Sequence, residues 1–157
     1  MNNKQISLAF STQYNGLTNQ IISDIFISDT NLKIHANNTN APNAYKCKGL
    51  WDTGATNTVI SEKIISALSL PIISKTPIIS VNGTFENTTH MIDLWLPNFL
   101  VIRQIPVAKG IFPNNFDVLI GMDIITKGDF TISNYQGKTL FSFRSPSMAA
   151  TDYISQC

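Results

Sequence analysis

The sequence predicts an all-β domain, and three features carry that expectation. Short apolar runs with period-two patterning recur along the 157 residues. Asn-Gly pairs at Asn15-Gly16 and Asn82-Gly83 punctuate them, as turns that need positive φ do. Helical spacing is read in one short stretch, after Ser61.

Taken in order, Gln5 to Tyr14 and Leu17 to Ile27 read as two strands of a leading hairpin. In the second, Ile21, Ser23, Ile25 and Ile27 alternate with Ile22, Asp24 and Phe26. Both faces are partly apolar, as in a strand covered on each side. Asp29 to Asn43, rich in Asn and Thr, reads as a surface loop, and Tyr45 to Trp51 as a strand. Ser61 is placed to cap a helix with Glu62 in its first turn. Ile64, Ile65 and Leu68 follow at helical spacing until Pro71 stops the pattern after Leu70. Pro77 to Val81 and Thr84 to Leu96 flank Asn82-Gly83 as a second hairpin, in which Met91, Asp93 and Trp95 alternate with Ile92, Leu94 and Leu96. Pro97-Asn98 turns the chain, Phe99 to Val107 returns, and a further strand carries Val118 to Ile120. Asp129 to Ser133 and Lys138 to Arg144 are strands about a turn at Tyr135-Gln136-Gly137. Ser145 to Cys157 is a loose tail or a dimer arm.

Composition excludes several classes. The length suits one domain with a real core. Charged residues make up 13% of the chain, about half the usual share, and the net charge is +1. No nucleic-acid or membrane partner is expected from that balance. No apolar run is long enough to span a bilayer, and Met1 to Gln5 do not open a secretory signal, so the expected compartment is the cytoplasm. Cys47 and Cys157 make no disulfide framework. His35 and His90 stand apart from any second ligand at metal spacing, and no phosphate loop or Gly-x-Ser-x-Gly elbow is present, so neither a metal nor a cofactor is expected.

The chemistry concentrates in Trp51-Asp52-Thr53-Gly54-Ala55-Thr56, between one apolar strand and Val59-Ile60. A carboxylate in a tight turn between apolar strands is held in place and dry on most sides, which suits a catalyst. Asp and Gly are also favoured in ordinary turns, so the motif by itself leaves both readings open. The chemistry that suits such an Asp is shared-proton catalysis. Two carboxylates about 3 Å apart cannot both ionise, so one serves as acid while the other activates a water. Thr53 can hydrogen-bond across the turn, and Gly54 leaves room beside the carboxylate.

A second stretch, Phe116-Asp117-Val118-Leu119-Ile120-Gly121-Met122-Asp123-Ile124-Ile125, bears on the choice. With it, the chain resembles the retropepsin-like aspartic proteases over residues 17 to 144. Members carry one Asp-Thr-Gly-Ala near the front and an apolar-apolar-Gly before a short helix near the back. Asp52 to Ala55 and Leu119 to Gly121 match those pieces, with Met122 to Lys127 as the implied helix and Gly128 as its stop. The resemblance implies a retropepsin-like acid protease fold, a closed or partly closed β-barrel with one or two short helices, active as a homodimer. It implies Asp52 as the catalytic residue, supported by Thr53, Gly54, Ala55, Leu119, Ile120 and Gly121. It also implies a flap with Val81, Asn82, Gly83 and Thr84 at its tip, whose backbone clamps an extended peptide and excludes water. The chain then divides into an N-terminal strand of the leading hairpin (1–16), the protease domain (17–144) and a tail (145–157).

One Asp-Thr-Gly supplies half of a dyad. A two-fold axis through the site would bring Asp52 against Asp52 of a second copy, so a homodimeric endopeptidase acting on a peptide or protein substrate is expected. Viral members pair an acid two positions after the motif's Gly with an Arg after the second motif's Gly. Here those positions hold Thr56 and Met122, both partners missing together, which points to a bacterial or phage branch. The alternative is a binding or dimerisation module without turnover, against which the intact Asp52-Thr53-Gly54 speaks.

Overall fold

The computed structural model describes residues 6–30, 44–80, 83–112 and 115–156. Among them lie strands β1 (Leu8–Gln13), β2 (Ile21–Ser28), β3 (Tyr45–Trp51) and β4 (Val59–Ser61), then helix α1 (Glu62–Ala67), then β5 (Ser74–Ser80), β6 (Gly83–Trp95), β7 (Val101–Gly110) and β8 (Val118–Ile120). Helix α2 (Met122–Ile125), β9 (Asp129–Ser133) and β10 (Leu140–Ser145) follow. The all-β expectation holds. No helix among the described residues is long and apolar enough to cross a membrane.

β2, β3, β8, β4, β7 and β6 are hydrogen-bonded in that order, and β6 returns to pair with β2 through Phe26 and Trp95, so the six close into a barrel. β5 extends the sheet outside β6. β3–β8 and β4–β7 are parallel pairs, whereas β4–β8 is antiparallel. Ile25, Ile27, Ile60, Ile92, Leu94, Val107, Val118 and Ile120 fill the interior with no exposed surface. Each such side chain contributes roughly 1.5–3 kcal/mol by leaving water. A second sheet, β1-β10-β9, adds an aromatic group to the same core. Phe10, Phe130, Phe141 and Phe143 surround Trp51 of β3 at centroid separations of 4.9 to 6.3 Å. The Trp51 indole N–H donates to Ser23 Oγ at 3.0 Å.

Several local expectations are corrected. The leading hairpin does not form: β1 pairs with β10, Phe10 opposite Phe143, while β2 pairs with β3. That choice buries Phe10 among aromatic rings, a gain that the local Asn15-Gly16 signal cannot match. The turn instead passes the chain between sheets. Tyr14 N–H donates to the Thr139 carbonyl, Thr139 N–H to the Gly16 carbonyl, and the Tyr14 hydroxyl bonds both backbone groups of Ile22. β2 is covered on one face only, since Asp24 and Phe26 are exposed. α1 ends before Pro71, because Ser69 takes a left-handed φ of 48°. Ser69 N–H then bonds the Ser66 carbonyl and Leu70 N–H the Ile65 carbonyl, which closes the helix end. Ser61 stands at the N-cap without a side-chain capping bond.

β5 and β6 do form the second hairpin, but Ser80 pairs with Gly83, so Gly83 belongs to the strand. Most of the expected loop from Asp29 to Asn43 falls on residues 31–43, outside the described residues, as do Cys157 and His35. α2 is shorter than predicted. Gly128 is not its left-handed stop; a Cβ there would collide with the carbonyl oxygen of Arg144, so Gly serves close backbone approach. The strand expected from Lys138 begins at Leu140. Asp129 fastens the start of the tail by accepting from Ser147 Oγ, Met148 N–H and Arg144. The Ser147 hydroxyl, the Met148 N–H and the Arg144 guanidinium hold its carboxyl well below the usual carboxylate range.

The alternation expected through Met91 to Leu96 is interrupted at Asp93, where β6 and β7 shift register. Its carboxylate, 1% exposed, accepts from Gln104 N–H at 2.8 Å and Arg103 at 2.9 Å. Gln104 takes a φ of 54° there. The buried acid thus satisfies the donor that the bulge exposes. Replacing Asp93 with Ala removes the acceptor that both donors share and empties a buried position, and a urea titration is expected to show a loss of about 2–3 kcal/mol. The turn between β6 and β7 holds Phe99 at φ 59° with its ring 67% exposed. Phe99→Gly relieves a conformation costly to a bulky residue, so the same titration is expected to show a gain of roughly 1 kcal/mol.

Candidate active site

Asp52 leaves the end of β3 with its backbone still in register. Its N–H donates to the Ile120 carbonyl at 2.9 Å, continuing the β3–β8 ladder by one step. The chain then turns sharply. Gly54 N–H donates to Asp52 Oδ1 at 2.8 Å, and the Ala55 N–H reaches the Asp52 carbonyl at 3.3 Å. A Cβ on Gly54 would stand 3.2 Å from Oδ1, so the missing side chain gives the carboxylate its room, as expected. Asp52 is half-exposed and Thr53 and Gly54 are exposed. The carboxylate is therefore not dry within one chain, contrary to the sequence expectation. The walls that would dry it are not in its own turn.

The second motif meets the first through backbone. Met122 N–H donates to the Ala55 carbonyl at 2.8 Å and Asp123 N–H to the Thr56 carbonyl at 3.1 Å. Gly121 sits at the crossing, where a Cβ would lie 2.7 Å from the Asn57 carbonyl carbon and 2.9 Å from the Ala55 oxygen. Leu119, Ile120 and Gly121 are thus brought to Asp52, Thr53, Gly54 and Ala55. Thr56 and Met122, the positions of the absent ion pair, are joined to the opposite loop by backbone groups that need no charge. Val81 and Asn82 lie outside the described residues, and of Gly83 and Thr84 only the backbone is described, in β6.

Two residues the sequence reading missed belong to this crossing. Thr58, with no exposed surface, accepts from Gly121 N–H at 3.1 Å and donates to Asp123 Oδ1 at 2.8 Å. A polar residue directly ahead of Val59-Ile60 was the available signal. Asp123, at the start of α2, finds its partner in Thr58 on the other loop. An apolar row flanks the site as well. Ile22, Leu50, Leu119, Val59 and Ala108 stand opposite one another across β2, β3, β8, β4 and β7, all half-exposed. Leu50 precedes Asp52 by two, which puts the row and the carboxylate on one side of the sheet.

The remaining chemistry lies elsewhere. A cleft of about 690 Å³ is lined by Asp24, Lys46, Lys48, Lys63, Asn115 and Asp117, with Cys47 at its base. Burial pushes the Cys47 thiol up to about 12, so it stays protonated and is no nucleophile. No cluster of three or more metal-ligating side chains occurs among the described residues. His90 is buried, with Nδ1 against the Leu70 and Pro71 carbonyls and Nε2 against Thr88 Oγ1.

No family model matches the chain, and no curated protein matches it. Among solved structures it is similar to a retropepsin-like aspartic protease from Rickettsia conorii, with a TM-score of 0.52 at 11% identity, over 90% of this chain and 98% of that one. It is also similar to EIAV protease in complex with an inhibitor (TM-score 0.45, 20% identity, 71% and 89% covered). A third is the retroviral protease-like domain of Ddi1 from Leishmania major (TM-score 0.40, 13% identity, 70% and 79% covered). The Rickettsia likeness shows the fold to be retropepsin-like; the other two are too partial to add to that.

The crossing makes a sharp demand on sequence. Gly121→Ala forces a methyl against backbone atoms that cannot turn aside, and it is expected to cost more than about 3 kcal/mol or abolish folding, read from the unfolding midpoint. Gly16→Ala, with open space around its Cβ, is the control expected to change far less.

Proposed function

We propose that this chain, which has the retropepsin-like fold, is an aspartic endopeptidase that works as a homodimer. The observation that carries the reading is the placement of Asp52. Its backbone is fixed by Ile120, its Oδ1 is oriented by Gly54 N–H, and its other face is left open. In the proposed dimer a two-fold axis sets the two Asp52 carboxylates face to face with a water between them. One carboxylate is protonated and polarises the scissile carbonyl, while the other takes a proton from the water as it attacks. The diol intermediate collapses as the amine leaves with a proton. Both carboxylates recover their starting state, so no covalent enzyme intermediate is formed.

The half-exposed row of Leu50, Leu119 and Val59 beside Asp52 supports apolar substrate side chains next to the scissile bond. The β5–β6 hairpin, with Val81, Asn82, Gly83 and Thr84 at its tip, is the proposed flap. The cytoplasmic compartment and the bacterial or phage ancestry expected from the sequence belong to the same proposal. Against a non-catalytic module speaks the intact Asp52-Thr53-Gly54, since loss of Asp52 is the usual mark of decay.

The test compares the parent chain with Asp52→Asn on a diverse peptide library across acidic to neutral pH, with and without a pepstatin-type inhibitor. Cleavage by the parent, blocked by the inhibitor and reduced about 10²–10⁴-fold in Asp52→Asn, is expected. Equal behaviour of the two proteins at every pH, together with no cleavage of co-expressed neighbouring proteins by mass spectrometry, would defeat the enzyme reading. A sedimentation experiment is expected to give twice the protomer mass under the active conditions.

A further inference from the structure

Resting on the peptidase reading, we propose that Thr58 is a positioning residue of the site, holding Asp52 through a single peptide unit. The Ile120 carbonyl and the Gly121 N–H are the two ends of one planar peptide group. At one end the carbonyl accepts from Asp52 N–H at 2.9 Å, and at the other the N–H donates to Thr58 Oγ1 at 3.1 Å. A rigid plane held at both ends cannot rotate without breaking a bond at each. Its orientation therefore passes from the Thr58 hydroxyl to the Asp52 backbone.

The chemistry of Thr58 fits that task more closely than simple filling of the core. A fully buried hydroxyl without partners costs about 1–3 kcal/mol, and Val has nearly the same shape without that cost. Thr58 uses its hydroxyl on both sides instead. The proton goes to Asp123 Oδ1 at 2.8 Å, which leaves a lone pair directed at Gly121 N–H. Asp123 thus fixes the hydroxyl's sense of donation, and its own N–H is held by the Thr56 carbonyl. Fixing matters at Gly121 because that residue, lacking a side chain, has the least intrinsic restraint on the peptide it follows.

The variants Thr58→Val, Thr58→Ser and Asp123→Asn in the full chain separate positioning from mere stability. In Thr58→Val, kcat is expected to fall about 10- to 10²-fold with KM changed less than about twofold, since a small misplacement of the reacting group weighs on the chemical step. Thr58→Ser, which restores the hydroxyl, and Asp123→Asn, which keeps an acceptor, are expected to stay within about threefold of the parent. A second readout does not depend on activity. Hydrogen exchange at the Asp52 and Met122 amides is expected to quicken about tenfold or more in Thr58→Val, while amides in β1, β9 and β10 keep their protection. Unchanged exchange at Asp52 would overturn the proposal, as would a defect confined to KM, or a Ser variant as impaired as Val. Should the Val variant fail to fold, Asp123→Ala carries the same exchange test, with faster Asp52 exchange expected and parental exchange overturning the proposal. A parent chain without peptidase activity would sink the function proposed above and leave the exchange result to decide the positioning claim.

Discussion

Two stretches of backbone far apart in sequence cross at Gly121 with no space for one methyl group. That contact is what lets β8 lie between β3 and β4, strands that follow one another in the chain and are linked by the Asp52 turn. With β8 inserted, the turn cannot relax into an ordinary hairpin loop, because Ile120, Met122 and Asp123 each hold one of its backbone groups. The carboxylate is then presented by a rigid element on both sides. The constraint is steric before it is chemical: the hydrogen bonds follow once the two backbones can approach.

The aromatic core makes the same point from the other end of β3. Trp51 is wedged among four phenylalanine rings and tied to Ser23, and the next residue is Asp52. Burial of an indole contributes far more than a turn residue can gain from its own contacts, so the strand end is anchored by packing. The rings come from β1, β9 and β10, elements at the two ends of the described chain. Their pairing within one protomer completes this sheet without a partner, so a dimer of this chain need not build it between copies.

Much of this was legible in the residues because the signals were local. Tyr45 to Trp51 and Asp129 to Ser133 carry strand patterns that the structure keeps to the residue. The two motifs at Asp52 and Gly121 could be read as belonging together by resemblance. What failed was pairing. Asn15-Gly16 satisfies every local condition for a hairpin, yet the burial of Phe10 against Phe143 decides which strand lies beside β1. Asp93 looks like one polar beat in an alternating strand, and only the register shift across β7 gives its carboxylate a use. Thr58 shows in the sequence only as a polar residue ahead of Val59-Ile60; its meaning lies in the Gly121 N–H and the Asp123 carboxylate, both on the far loop. Ser69 and Phe99 take left-handed conformations for which the sequence offers no Gly or Asn, so propensity misplaces the end of α1 and gives no warning of the strained turn before β7.

In the proposed dimer, Coulomb repulsion would tie assembly to protonation of the Asp52 pair. Two ionised carboxylates brought to about 3 Å at an effective dielectric of about 20 repel by about 5 kcal/mol. A proposed dimer formed with both Asp52 groups charged would carry that cost, whereas one shared proton removes it. Association and proton uptake are then linked, and each favours the other. Oδ1 of Asp52 already accepts from Gly54 N–H, so the turn fixes how the carboxylate would be presented to a second copy in the proposed dimer. The turn that leaves Asp52 half-exposed in one protomer thus also orients it for the pairing proposed above.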